Sequence, residues 1–440
     1  MSSSAPKLFG PDRHYERWRW QIFAITWLAY VGFYLTRKSF AIAKIPLQQP
    51  DALGLTKLEV SSIDGAFFTA YAIGMFIAGI CGDRFGTRRV VSLGILGCVL
   101  AALGMSLAGN AKTMMLYSVL HGLFQSTGWA PLAKNVTNFF SRRERGVVMG
   151  LWCTNYAVGG ALGNAFAGWV ADWLGWRASF FLPALTLFGV LLLFILAQRN
   201  RPEDVGLVSV DLYHRDSDTA GPPLPGKPST QDAEDGEVGS WRVVLSVMRN
   251  PMVLLLALIY FCLKPARYAI LAWGPQYVRD RLGSNLTDAG IISGLFDLAG
   301  PPSIILAGFI SDRIFASRRM PVSVICLFLL GGSLMMLDRL PHTPSVLGFS
   351  FFVLGLLTYA PDSLVSGTAA VDFGTKRGAS TASGLINSAG SFGGILGGAL
   401  PGILQERWGW NVVFSMLAGA VLLAALLLLP KWNALPREKN

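Results

Sequence analysis

GICGDRFGTRR (Gly79–Arg89) is answered later in the chain by GFISDRIFASRR (Gly308–Arg319), with Asp83 and Asp312 standing 229 residues apart. Other pairs keep nearly the same offset. Pro131 in GWAP matches Pro361 in TYAP at 230, VGGALG (Val158–Gly163) recurs as FGGILG (Phe392–Gly397) at 234, and Gly175-Trp176 recurs as Gly409-Trp410 at 234. Independent matches near one spacing indicate an internal duplication, so each half of the chain is expected to build the same bundle.

The bundles are expected in a lipid bilayer. Of 440 residues, 52% are hydrophobic and 14% charged, with a mean hydropathy of +0.47. A soluble domain carries roughly a quarter charged residues. About 20 apolar residues cross a hydrocarbon core of about 30 Å. Hydropathy and loop punctuation predict six spans over 18–40, 59–81, 90–109, 113–138, 147–171 and 177–198. Six more follow over 250–278, 288–310, 320–337, 345–370, 378–403 and 411–430. The first 20 residues hold no short apolar core before a small-residue cleavage site, so the first apolar segment is expected to stay in the membrane. The stretch RDSDTAGPPLPGKPSTQDAEDGE (Arg215–Glu237) is rich in Pro, Gly, Ser and acids and reads as a linker. The expected organisation is a bundle over 1–198, a linker over 199–246 and a second bundle over 247–440.

Basic clusters fix the expected orientation. Arg84, Arg88 and Arg89 follow span 2, Arg142, Arg143 and Arg145 follow span 4, Arg313, Arg318 and Arg319 follow span 8, and Lys376 and Arg377 follow span 10. With twelve spans these fall on one side with both termini and the linker, the cytoplasmic side by the positive-inside rule. The same clusters account for the net charge of +11 without a nucleic-acid partner. The five cysteines are scattered through apolar segments with no metal spacing.

Span 1 carries the sharpest chemistry: WLAYVGFYLTRKSFAIAKIPL (Trp27–Leu47) places Arg37 and Lys38 inside an apolar helix. A basic residue at the centre of a membrane helix costs roughly 2.5–3.5 kcal/mol even on insertion scales, so neither is expected to face lipid. In span 7, LIYFCLKPARYAILAWGPQYV (Leu258–Val278), Arg267 stands 230 after Arg37 and Tyr260 stands 230 after Tyr30. A pseudo-twofold axis would make the two guanidiniums meet across one cavity, and two planar forks suit a phosphate dianion. Tyr30, Tyr34 and Arg37 share one face of span 1 at about one turn's spacing. Snorkelling to an interface is the structural alternative for the arginines, and aromatic packing for the tyrosines.

The repeated GxxxDRxGxRR string resembles the loop signature of the major facilitator superfamily. That resemblance implies an all-α membrane protein of twelve transmembrane helices in two pseudo-twofold-related six-helix bundles. It also implies that Asp83, Arg84, Asp312 and Arg313 control closing of the cytoplasmic gate. Within the superfamily, YLTRKSFAIA in span 1, RYAILAW in span 7, HYERWRW before span 1, SRRERG in loop 4–5 and RNRPEDVGL (Arg199–Leu207) resemble the organophosphate:phosphate antiporter family. The resemblance implies that Arg37 and Arg267 hold a phosphoryl group, and that a small phosphorylated anion exchanges against inorganic phosphate by rocking of the bundles. Asp297, in GLFDLAG of span 8, matches a family acidic position, and a Lys38–Asp297 salt bridge is expected because either charge alone would be costly.

Several positions depart from the family pattern. Met75 stands where the carriers have a lysine, Tyr156 where the glycerol-3-phosphate carrier has a histidine, and Ala272 where an acid is usual. Lys264 and Asp362 are extra charges. Lys264 is expected to restore a third cation, and Asp362 to pair with it, bind hydroxyls or carry a proton. Tyr359, beside Pro361 in TYAP, completes the candidate substrate site with Tyr30, Tyr34, Arg37, Tyr156, Lys264, Arg267 and Asp362. His121, Gln125, Asn155, Asn387, Trp129 and Trp273 either line the cavity or pack. No cofactor or metal is expected, nor an enzyme. The expected function is transport of an organophosphate by a monomer in a bacterial-type inner membrane. The alternatives are a membrane sensor for a sugar phosphate and a proton-coupled carrier of another organic anion.

Overall fold

The computed structural model describes residues 13–141, 144–213, 245, 248–316, 318–368 and 379–433. The expected linker lies largely outside the described residues, as do Arg142, Arg143, Lys376 and Arg377.

Span 1 is a helix over Arg13–Leu47, span 2 over Lys57–Phe85, span 3 over Thr87–Leu107 and span 6 over Ala178–Ala197. In the second half, span 7 covers Pro251–Leu282, span 9 Arg319–Leu337, span 11 Ala379–Trp408 and span 12 Trp410–Leu428. The other four are interrupted. Span 4 runs as Ala111–Gln125 and Trp129–Thr137, span 5 as Arg145–Trp152 and Thr154–Leu174, and span 8 as Leu286–Leu298 and Gly300–Arg313. Span 10 covers Pro344–Ser363 and passes into a π-turn over Leu364–Thr368. Pro131 and Pro301 lie at two of these breaks, and Pro361 lies within span 10 three residues before its π-turn. A proline removes one intrahelical hydrogen bond and crowds the carbonyl four residues back, so an unbroken helix was the wrong expectation there.

Local signals set the other ends. Thr56 and Glu59 form a capping box at the start of span 2, and Asn110, Asn250, Asn285 and Thr343 accept backbone N–H bonds at the starts of spans 4, 7, 8 and 10. Gly175 and Gly409, one from each repeat, turn the chain into spans 6 and 12 at φ of 82° and 81°. That conformation is open to glycine and strained for other residues.

Among the described residues, seven spans (3, 6, 7, 8, 9, 10 and 12) are long and apolar enough to cross a membrane by length and composition. The other five carry more polar residues and glycines. Leu192, Leu193 and Leu196 of span 6 and Leu423 and Leu426 of span 12 face outward, as lipid contact requires.

The repeated glycine motif has one use in both halves. Cβ atoms on Gly159 and Gly163 would press into the backbone of span 1 at Val31 and Tyr34. Their counterparts Gly393 and Gly397 would press into span 7 at Phe261 and Pro265. Small residues let the helices of spans 5 and 1, and of spans 11 and 7, touch backbone to backbone.

Between the halves, span 5 runs along span 8, span 2 along span 11 and span 1 along span 7. The two halves are joined by hydrogen bonds at the end where span 1 finishes. Gln48 donates to Gln276 at 2.9 Å, Lys57 bonds Gln405, and Asp172 accepts from the backbone N–H of Leu286 at 3.0 Å and of Thr287 at 2.7 Å. Lys44, paired with Asp64, is capped by the ring of Trp273 from the other half at 3.9 Å. At the opposite end Val147 and Leu151 of span 5 and Ile305 of span 8, which line the space between the halves, are exposed. The molecule is therefore sealed at one end and open at the end where span 1 begins.

The open end is braced within the first half. Arg19, buried, hydrogen-bonds Glu16, Glu144 and the Phe139 carbonyl, which ties HYERWRW to SRRERG. Partial burial works to raise the Glu144 carboxyl, but hydrogen bonds from Arg19 and Ser141 outweigh it and hold it at about 2.

Gly290 of span 8 lies against the Asn164 carbonyl of span 5. Gly290→Val should overpack this contact by about 1–3 kcal/mol and lower the thermal midpoint of the detergent-purified protein by several degrees; an unchanged midpoint would contradict the packing described.

Candidate functional site

The open end leads into a central cavity of about 660 Å³ between the halves, within the size range of small-molecule sites. Span 1 contributes Tyr30, Tyr34 and Arg37, span 5 Tyr156, span 7 Lys264 and Arg267, and span 10 Asp362. Met75 and Trp129 also line it, as does Asn387.

The two arginines are in different electrical states. The Arg37 guanidinium lies over the rings of Tyr71 at 4.8 Å, Tyr34 at 5.3 Å and Phe67 at 5.6 Å. Among the described residues it has no carboxylate partner. Aromatic faces offset part of the cost of removing the charge from water, and they leave its net charge unneutralised. Arg267 instead binds Asp362, Nη1 to Oδ2 at 2.6 Å, and Lys264 Nζ stands 3.1 Å from Oδ1 of the same carboxylate. The symmetric picture of two open forks therefore needs correction. Asp362, at a position where the first repeat has Leu132, takes both nearby cations because an unpaired buried carboxylate is costly. The Nε–H of Arg267 is buried without an acceptor among the described residues.

Lys38 turns away from the cavity. Its Nζ lies 2.8 Å from Asp297 Oδ2, with both side chains at most 4% exposed. Asp297 also accepts from Tyr359 at 3.3 Å and from Asn164 at 3.4 Å. Tyr359 is therefore not in the cavity lining: its hydroxyl is held by Asp297 and its ring lies under Arg267, 4.4 Å from the guanidinium carbon. Tyr156 stacks on Tyr359 across the interface with centroids 5.9 Å apart.

The sequence profile described as Major Facilitator Superfamily matches residues 26–398. The glycerol-3-phosphate transporter of Bacillus subtilis (strain 168) is 30% identical over 98% of this chain and 96% of its own. The chain belongs to the Major Facilitator Superfamily, in its organophosphate:phosphate antiporter family. A probable hexose phosphate transport protein of Chlamydia pneumoniae is 29% identical over 99% of this chain and 98% of its own. Among solved structures, a bacterial homolog of the human lysosomal transporter Spinster, inward-facing and unoccupied, superposes with a TM-score of 0.73 at 14% identity. It covers 94% of this chain and 96% of its own, a likeness of fold.

The superfamily loop residues stand at the open end. Asp312 pairs with Arg319 of its own half at 2.6 Å, Arg84 lies over Phe85 and Arg313 over Phe309. Among the described residues neither Arg84 nor Arg313 pairs across the halves, which an open end does not permit; the Asp83 side chain lies outside the described residues. His121 is buried with Nε2 3.1 Å from the Thr36 hydroxyl and lines a small separate cavity beside Arg37, and Trp273 donates to the Gly398 carbonyl at 2.8 Å; neither lines the central cavity.

Three elements escaped the sequence reading. Tyr71 is four residues before Met75 and so on the same face of span 2. Tyr268 follows Arg267 and meets Phe68 edge-on at 4.8 Å across the halves. The Lys44–Asp64 pair had its signal in two charges inside spans 1 and 2.

Removing one partner of the Lys38–Asp297 pair should cost about 3–5 kcal/mol. Lys38→Met and Asp297→Asn are each expected to lower the thermal midpoint, and the double variant to recover most of the loss. A double variant as unstable as the sum of the singles would contradict a mutually compensated pair.

Proposed function

We propose that the chain is a secondary active transporter that carries a small organophosphate by exchange with inorganic phosphate. It works as a monomer in a bacterial-type inner membrane with both termini cytoplasmic. The observation that carries this reading is one central cavity into which each half of a duplicated fold presents an arginine, Arg37 from span 1 and Arg267 from span 7. The family's relatives named for glycerol 3-phosphate and hexose phosphate support it.

In the proposed mechanism the phosphoryl group enters from the open end and meets Arg37, the cavity cation with no carboxylate partner among the described residues. It draws Arg267 from Asp362, since a dianion offers a guanidinium bidentate, charge-assisted bonds. A ligand bridging spans 1 and 7 pulls the open end together while the contacts at Gln48–Gln276 and Asp172–Leu286 release. The motion is a rocking of one bundle against the other around a fixed central site. Only a loaded carrier crosses readily, because an empty one returns with Arg37 uncompensated; this is the physical reason for obligatory exchange.

Vesicles reconstituted with the protein and loaded with phosphate should take up labelled phosphate, and sugar or glycerol phosphates should compete. Absence of exchange with every such compound would overturn the reading. Arg37→Lys and Arg267→Lys should each reduce exchange to the level of protein-free vesicles, because a lysine ammonium cannot reproduce the planar fork. Retained exchange in both would overturn the site assignment.

A further inference from the structure

The charges lining the cavity can be counted. Among the described residues they are Arg37, Lys264 and Arg267 against Asp362, a formal surplus of two positive charges. A phosphate monoester loses its second proton with a pKa of about 6, so at neutral pH its phosphoryl group carries nearly two negative charges. Such a group balances the surplus. A phosphorylated carboxylic acid brings a third negative charge, which the cavity does not match.

Position sharpens the count. Arg37 stands among aromatic rings with no carboxylate beside it among the described residues, whereas Lys264 and Arg267 share Asp362 at 3.1 and 2.6 Å. A phosphoryl group seated between the two halves leaves the rest of the molecule beside Asp362 and the span 10 hydroxyls Ser363 and Ser366. A carboxylate accepts hydrogen bonds from sugar or glycerol hydroxyls, whereas a substrate carboxylate at the same place meets like charge in a partly desolvated site.

Resting on the phosphate-ester reading above, we propose that Asp362 sets the charge limit of the substrate: the site takes dianionic phosphate esters of neutral polyols and rejects phosphorylated carboxylic acids. Asp362 is thus a specificity residue, at a position where the first repeat has Leu132.

The test is inhibition of labelled phosphate exchange in reconstituted vesicles above the second phosphate pKa. Glycerol 3-phosphate and glucose 6-phosphate are compared with 3-phosphoglycerate and phosphoenolpyruvate. Wild type should favour the polyol esters by about tenfold or more, the scale of one uncompensated charge at close range. Asp362→Asn raises the surplus to three and should shift the ratio about tenfold toward the phosphorylated acids. Lys264→Gln combined with Asp362→Asn restores the surplus of two and should return the ratio toward wild type. Equal competition by both classes in wild type overturns the proposal, and that panel decides alone if Asp362→Asn does not fold. An unchanged ratio in the single variant, or a double variant that keeps the shifted ratio, also overturns it. If wild type exchanges phosphate with none of the four compounds, the transport reading itself fails.

Discussion

A charge held inside a membrane protein has to be answered by another charge, by hydrogen bonds or by water. Lys38 is answered by Asp297 across the halves, Lys44 by Asp64 beneath the ring of Trp273, and Lys264 with Arg267 by Asp362. Arg37 is the exception, given aromatic faces and no carboxylate among the described residues. Much of the remaining architecture serves to hold these groups in register. Glycines at Gly159, Gly163, Gly393 and Gly397 bring spans 5 and 11 onto spans 1 and 7, which fixes the two arginine-bearing helices at the centre of the molecule.

The contacts between halves divide into two kinds. At the sealed end they are hydrogen bonds between polar side chains and helix ends, which can be exchanged for water at modest net cost. At the centre they are a buried ion pair and stacked rings, Lys38–Asp297 and Tyr156–Tyr359. Lys38 follows Arg37 directly in span 1, so an anion that moves Arg37 acts on the helix that also carries the inter-half ion pair. In the proposed cycle this adjacency connects occupancy of the cavity to movement of the bundles.

The duplication was legible because loop and packing residues repeat at one offset. Gly175 and Gly409, read only as a matching dipeptide, prove to adopt the same backbone conformation in the two halves. The hydropathy pattern located all twelve spans and missed the breaks in spans 4, 5 and 8, two of them beside Pro131 and Pro301, in helices of uniform composition. Symmetry pointed to one cavity shared by Arg37 and Arg267, and both side chains line the central cavity. It misled about their state, since a single unpaired substitution, Asp362, neutralises one fork. Tyr71 and Tyr268 were hidden for a different reason: an aromatic residue in an apolar helix has no periodic signal that separates cavity from core.

Where an oxyanion binds decides between these possibilities, and a structure of the purified protein with inorganic phosphate shows it. Phosphate in the central cavity, hydrogen-bonded to the Arg37 guanidinium, with Arg267 turned from Asp362 toward it, is the predicted result. Phosphate found only at surface arginines, with the Arg267–Asp362 pair intact, would contradict the account.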